Sequence, residues 1–162
     1  MARKKEKDAE KPDGIKIVAV NRKARFNYEL LERHECGLVL TGTEVKSLRG
    51  GHASLVEGYA EIDRGEAFLV DVNISPYAFG NIQNHEPTRR RKLLMHKQEI
   101  VRLGSKIQER GWTLIPTQLY FKHGKAKAEI ALARGKHAYD KRETLKRRDQ
   151  DREMHRAVKE RE

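Results

Sequence analysis

Seven histidines, at positions 34, 52, 85, 96, 123, 137 and 155, are the first residues to test for chemistry. None lies three or four residues from another, the spacing that puts two metal ligands on one helix face, so no metal site is expected. His34 and Cys36 alternate as they would on one side of a strand, and a surface imidazole beside a part-buried thiol is the plainer reading. Cys36 is the only cysteine, which excludes an intrachain disulfide or a thiolate zinc cluster within one chain. The carboxylates form no distinctive acid–base pair: Glu32 and Glu35 are near neighbours, Asp8 and Glu10 lie in a charged N-terminal stretch, and Glu61 and Asp63 flank a turn. The Gly-x-x-x-x-Gly-Lys-Ser/Thr phosphate loop, the Gly-x-Ser-x-Gly elbow and the Gly-x-Gly-x-x-Gly fingerprint are missing. No catalytic residue, metal ligand or cofactor is assigned, and the sequence favours a binding protein over an enzyme.

Cations are what the sequence does offer. Lys plus Arg is 35 against 24 Asp plus Glu, a formal charge of +11 with a pI near 9.8. Such an excess favours polyanions, because each neutralised phosphate releases condensed counterions; nucleic acid leads, and an anionic membrane surface is the other partner that charge alone allows. Three clusters carry the excess: Asn21-Arg22-Lys23-Ala24-Arg25-Phe26, Arg89-Arg90-Arg91-Lys92, and the C-terminal stretch from Lys136 onward. Arg22, Lys23, Arg25, Arg90 and Lys92 are candidate phosphate grips, and Asn21 can meet a base edge or a sugar hydroxyl. Glu35 is the odd member, since a carboxylate repels phosphate unless it hydrogen-bonds a base or a 2′-hydroxyl. Spacing alone favours the plainer role, a strand-end charge paired with Arg33 or Lys23.

The elements that must position these residues follow from pattern. A chain of 162 residues with 36% charged and 37% apolar content reads as one modest domain with basic extensions. Met1–Pro12 is expected to be a flexible basic arm. Residues 13–134 are expected to fold: a strand at Ile15–Val20, strands at Tyr28–Glu35 and Gly37–Thr41, then a short helix announced by the capping box Thr41-Gly42-Thr43-Glu44 and ended by Gly50-Gly51. Tyr59–Ile62 and Ala67–Ile74 form a hairpin across residues 63–66, with Phe68, Val70, Val72 and Ile74 alternating. A helix is predicted at Lys97–Arg110 with Gly111 as its C′ residue. Trp112–Lys122 and Lys125–Arg134 make a second hairpin across His123-Gly124, with Ala126, Ala128, Ile130 and Leu132 inward, and Pro116 marks an edge or a bulge. The fold class is mainly β with helices (α+β): about six short antiparallel strands suggest a closed barrel or a sandwich, and an oligonucleotide-binding (OB) barrel suits the basic faces. Residues 135–162 cannot bury a core and are expected to be disordered alone and helical when a polyanion screens their charges. No stretch approaches the roughly 18 apolar residues of a spanning helix, and no apolar segment follows the charged N-terminus, so a cytoplasmic protein is expected.

Seven segments resemble the bacterial SsrA-binding protein family, small protein B: Asn21-Arg-Lys-Ala-Arg, Glu35-Cys-Gly-Leu, Thr43-Glu-Val-Lys-Ser-Leu-Arg-Gly-Gly, Gly65-Glu-Ala-Phe-Leu, Asn73-Ile-Ser-Pro-Tyr, Pro87-Thr-Arg-Arg-Arg-Lys-Leu-Leu and Gly135-Lys-His-Ala-Tyr-Asp-Lys-Arg. The likeness runs from about Ile17 to Arg142. It implies an OB-like β-barrel, monomeric and without a cofactor or membrane role, that binds the tRNA-like domain of transfer-messenger RNA (tmRNA, SsrA RNA). It further implies delivery to ribosomes stalled without a stop codon, where alanyl-tmRNA enters with elongation factor Tu and GTP and the nascent peptide is tagged. On this resemblance Asn21, Glu35 and Leu94 are RNA contacts. Gly135, Lys136, Tyr139, Asp140, Lys141 and Arg142 belong to a tail that occupies the decoding centre of the small-subunit ribosomal RNA and the empty messenger channel, with Lys146 and Arg147 continuing its basic run. Two positions depart from the family pattern: His137 stands where a second lysine is frequent, and Tyr139 where some members have His.

Overall fold

The computed structural model describes residues 14–80 and 82–159. The expected N-terminal arm, Met1–Pro12, lies outside them, as does Asp13. Among the described residues the chain is mixed α+β, with every strand pairing antiparallel.

Strand β1 (Ile15–Val20) stops at Asn21, whose side-chain oxygen accepts from the Ala24 amide at 3.1 Å and starts a six-residue helix α1 (Arg22–Asn27). The sequence reading placed these cations in the strand's end; the cap turns them into a helix. Strand β2 (Tyr28–Leu38) is one element where two were expected. Gly37 does not break it. A Cβ there would lie 3.1 Å from Leu94 Cβ, so glycine lets the neighbouring strand approach.

Helix α2 (Gly42–Arg49) follows from its capping box, Glu44 accepting from the Thr41 amide at 2.8 Å. Strands β3 (Ala53–Ser54) and β6 (Asn73–Ile74) form a small separate pair. Strands β4 (Tyr59–Asp63) and β5 (Glu66–Val70) make the first hairpin through a two-residue turn with Arg64 at φ 50° and Gly65 at φ 77°, the left-handed pair such turns need. The expected second arm is cut at Asp71, φ 54°, and the cut inverts the facing. Ala67 and Leu69 are buried before it, Val72 and Ile74 after it, and Phe68 and Val70 are half-exposed.

Strand β7 (Arg91–Leu94) leads to α3 (Lys97–Arg110), which has the predicted bounds and ends where the Gly111 amide, at φ 66°, donates to Ile107 O. Strands β8 (Thr113–Lys122) and β9 (Lys125–Gly135) form the second hairpin, with the bulge between Pro116 and Gln118 that proline foretold. Residues Ala138–Lys159 are one helix, α4. The sequence reading keeps this segment disordered until bound; here it is helical with almost every described side chain exposed.

The large sheet runs β1-β8-β4-β5-β7-β2-β9, and β9 also pairs with β8. The ladder β8-β4-β5-β7-β2-β9 therefore returns to β8. Leu69, Leu93, Leu114, Leu119, Ile130 and Leu132 fill the main core, to which α3 adds Ile100 and Leu103. On the other face of the sheet, α1 buries Ala24 against Ile115 and Ala133, with Tyr28 and Leu30 beside them. That second cluster explains why Ile130, Ala131, Leu132 and Ala133 are all buried where simple alternation was expected.

One carboxylate ties these layers together. Glu44, fully buried in the first turn of α2, accepts from Arg91 Nε at 2.8 Å, Arg89 Nε at 3.1 Å and Arg89 NH2 at 2.8 Å. The equally buried Arg91 also donates to Val72 O at 2.8 Å and Pro87 O at 3.0 Å. Burial alone would raise the Glu44 pKa. Hydrogen bonds from Arg89 and Thr41, with the charge of Arg91, outweigh this and hold it down to about 2, against an ordinary 4.5. A carboxyl lowered in the folded state contributes stability that is present above its unfolded pKa and is lost as pH falls through its folded one. Removing one partner of a buried pair costs about 3–5 kcal/mol. Glu44→Gln should therefore lose about that much at pH 7 in denaturant melts, and the gap to wild type should narrow from pH 4.5 down to 2. A gap unchanged across that window would contradict the assignment.

Candidate nucleic-acid interface

Antiparallel partners share a face, so the strand registers locate the site. Gly37 is opposite Lys127 on β9 and Leu94 on β7, Lys127 is opposite Tyr120 on β8, and Glu35 is opposite Glu129, itself opposite Gln118. Glu35, Leu94, Tyr120 and Lys127 therefore stand on one outer face, with Lys122 and Lys125 at its hairpin end. The Tyr120 hydroxyl donates to Glu35 Oε2, and Lys122 Nζ lies 3.4 Å from Oε2 and 3.5 Å from Oε1. Arg33 instead pairs with Glu129 at 3.4 Å, which corrects the sequence-based pairing of Glu35 with Arg33 or Lys23. The Tyr120 hydrogen bond and the charges of Lys122 and Lys127 outweigh desolvation and keep the Glu35 carboxyl below its usual range. Burial and Glu35 push the Tyr120 phenol up. Glu35 is thus an oriented anion with acceptor capacity left.

Beside it lies a concavity of about 450 Å³ whose floor includes Leu40, Val45, Leu94 and Phe121, with Lys125 and Lys127 on its rim. Leu94 is 54% exposed. An apolar floor with a cationic rim suits an unpaired base and its phosphate.

Asn21 proves to be a buried structural residue. Besides capping α1, its amide donates to Leu55 O at 3.3 Å and Pro116 O at 3.1 Å. Its consequence is to hold Arg22, Lys23 and Arg25 outward on α1, all exposed and without an ion pair among the described residues.

Arg90 and Lys92 are not bare cations. Arg90 lies 3.7 Å over the Phe68 ring and bonds Glu61 at 2.7 Å and Asp63 at 3.1 Å, while Lys92 bonds Glu66 at 2.9 Å. Exposed pairs of this kind contribute about 0–1 kcal/mol, so a phosphate can displace them. Arg89 and Arg91, read as part of the same basic cluster, are committed to Glu44.

At the base of the tail, Gly135 pairs with Tyr28, and the Lys136 amide donates to Asn27 O at 3.0 Å while its ammonium reaches Arg25 O at 3.0 Å and Thr144 Oγ1 at 3.2 Å. Tyr139, 68% exposed, has its phenol raised by a hydrogen bond to Glu143. Tyr139, Asp140, Lys141, Arg142, Lys146 and Arg147 all lie on α4, and no ion pair joins that helix to the rest among the described residues.

His34 and Cys36 do share a face, the inner one. Burial pushes the Cys36 thiol up to about 12, and the His34 side chain, 9% exposed, sits 3.5 Å from Glu32 and 3.9 Å from Glu99; the thiol is buried where it was expected part-buried, and the imidazole is internal where it was expected at the surface. No metal cluster occurs among the described residues. Sequence reasoning missed Tyr120, Lys122 and Lys127 as neighbours of Glu35. The outward alternation of Lys125 and Lys127 was visible, but the register bringing β9 to β2 was not.

Residues 18–160 match the SmpB protein family. The chain is 57% identical over 148 residues to an SsrA-binding protein of Saccharopolyspora erythraea, covering 91% of this chain and 94% of that one. It is 54% identical over 161 residues to an SsrA-binding protein of Thermobifida fusca, covering 99% of each. A solved structure described as "tmRNA-SmpB: a journey to the center of the bacterial ribosome" contains a similar chain at 46% identity and TM-score 0.63, covering 74% of this chain and 85% of that one. With the match spanning nearly the whole described chain and the site residues inside it, this protein belongs to the SmpB protein family.

Proposed function

We propose that this protein binds the tRNA-like domain of tmRNA and carries it to the A site of ribosomes stalled on non-stop mRNA, the first steps of trans-translation. The observation that carries the reading is the outer face on which a Tyr120-anchored Glu35 carboxylate adjoins the Leu94 concavity and its lysine rim. An anion on a basic surface is useless for gripping phosphate; it suits donors on a base edge or a 2′-hydroxyl, which distinguish a folded RNA from generic polyanion. Relatives of high identity bear the name SsrA-binding protein.

We infer that the ladder returning to β8 closes into an OB-like barrel; the circular pairing order supports this. The body, 13–134, holds RNA through Asn21-supported Arg22, Lys23 and Arg25, through Glu35 and Leu94, and through Arg90 and Lys92 once they leave their surface pairs. The tail, 135–162, enters the decoding centre and vacant messenger channel with Gly135, Lys136, Tyr139, Asp140, Lys141, Arg142, Lys146 and Arg147. Its helix is marginal on its own and is stabilised where ribosomal RNA screens its charge. Elongation factor Tu with GTP accompanies the alanyl-tmRNA, the protein acts as a cytoplasmic monomer, and it catalyses no reaction.

Filter binding of a tRNA-like-domain fragment at fixed salt tests the body. Glu35→Ala should weaken binding about tenfold or more, in line with the penalty for losing a charge-assisted hydrogen bond, and Tyr120→Phe should weaken it less by letting the carboxylate swing. Equal affinities for wild type and Glu35→Ala would refute the site. Truncation after Arg134 tests the division of labour: RNA affinity should stay near wild type while peptide tagging on stalled ribosomes is lost. A large affinity loss on truncation would make the tail part of the RNA grip.

A further inference from the structure

A second surface lies across α2 from the Leu94 concavity, and the function above does not use it. Phe79 is 80% exposed and Ile82 102%, large apolar side chains held out in solvent. Described residues beside them are tied down: the Asn84 side chain accepts from the Tyr77 amide at 3.1 Å and donates to Tyr77 O at 2.7 Å, and the Gly80 amide donates to Tyr77 O at 2.9 Å. His85 bridges Thr43 on α2 at 2.9 Å and Ile74 O at 2.8 Å. The Tyr77 ring supports Phe79 edge-on at a centroid distance of 5.6 Å and lies under the Lys46 ammonium at 5.5 Å.

We propose that Phe79 and Ile82 form a stacking knob for an unpaired nucleobase of the tmRNA, with Lys46 taking the adjoining phosphate. This rests on the reading that the Glu35 face binds that RNA. Charge favours RNA over an apolar protein surface. The concavity of about 900 Å³ beneath the knob is lined by Lys46 and by no carboxylate, and Glu44, the acid of α2, is buried and neutralised. Continuity favours the same RNA molecule. Leu40 and Val45 line the Leu94 concavity while Thr41, Gly42, Thr43 and Lys46 line this one, so the two sites share one helix start as their divide. An aromatic face beside a cation accepts a base without regard to sequence.

The test is filter binding of the full chain to the tRNA-like-domain fragment, with Glu35→Ala run in parallel. Phe79→Ala should weaken binding about tenfold, the cost of one stacked base, and Phe79→Leu nearly as much, because a stack needs the π-face and not bulk alone. Phe79→Trp should bind as wild type, and its emission, read against the single native Trp112, should be quenched on adding RNA. Because Phe79 is so exposed, circular dichroism melts of all variants should match wild type; Ile82→Ser, a second exposed substitution, should weaken binding in the same direction. If Glu35→Ala weakens binding but Phe79→Ala does not, the knob proposal falls and the Glu35 site stands. If Phe79→Leu matches wild type, or Phe79→Ala impairs only ribosome association, the occupant is an apolar or ribosomal surface and the proposal is wrong. If neither Glu35→Ala nor Phe79→Ala changes affinity, the reading of the body fails with it.

Discussion

The buried Glu44 carboxylate is the constraint on which the arrangement of the site depends. It joins three parts of the chain that sequence order keeps apart: the start of α2, the strand β7 that presents Leu94, and the turn carrying Pro87. Two guanidiniums on one carboxylate would be a costly thing to bury unless every donor and acceptor were matched, and here the matching is nearly complete: Arg91 spends its remaining donors on the carbonyls of Val72 and Pro87. The consequence is geometric. Leu40 and Val45, on either side of the α2 cap, lie in the floor of the Leu94 concavity, so the shape of that groove depends on the helix start that Glu44 holds. A capping box that would ordinarily serve one short helix has been extended into a brace for the binding face.

Local devices in this chain were legible because their causes are local. The Lys97–Arg110 helix has its apolar positions at helical spacing and its stop in a left-handed Gly111. The β8–β9 hairpin turns on His123-Gly124, both at positive φ, and Pro116 sits at the bulge it was expected to make. What escaped was decided at long range. Helix α1 is six residues with no apolar period; it stands because the Asn21 amide finds carbonyls at Leu55 and Pro116, 34 and 95 positions away. The Glu35 partner Tyr120 is 85 positions distant. No pattern within a window of sequence reports such a pairing, and so Glu35 entered as an RNA contact only through the resemblance, and its orientation by Tyr120 not at all.

The charge map changes for the same reason. Arg89 to Lys92 looks like the densest phosphate grip outside the tail, yet Arg91 is buried, Arg89 is half-buried against Glu44, and Arg90 and Lys92 lean on Glu61, Asp63 and Glu66. Among the described residues, solvent-facing cations without an ion pair include Arg22, Lys23 and Arg25 on α1, Lys125 at the β8–β9 tip and the basic residues of α4. They leave a belt in which the Glu35 carboxylate is surrounded by lysines and a phenol rather than cancelled by an arginine fork. A bidentate arginine would have consumed both carboxylate oxygens; a phenol takes one and fixes its direction.

The tail obeys a different physics from the body. Helix α4 has Asp140 in its first turn and Arg156 and Lys159 in its last, the distribution that suits the helix dipole, yet it buries no apolar face. An isolated helix of 22 residues draws on propensity and side-chain pairs alone, which leaves it marginal in water. Its anchor is short: Lys136 reaches back to Arg25 and Asn27, and beyond Thr144 every described residue is exposed. A polyanionic channel would supply what the body does not, by removing the repulsion among Lys141, Arg142, Lys146 and Arg147 while leaving the backbone hydrogen bonds in place. The body recognises by prearranged partners. On the proposed reading the tail recognises by its fit to a vacant polyanionic track, which ties its affinity to whether that track is empty.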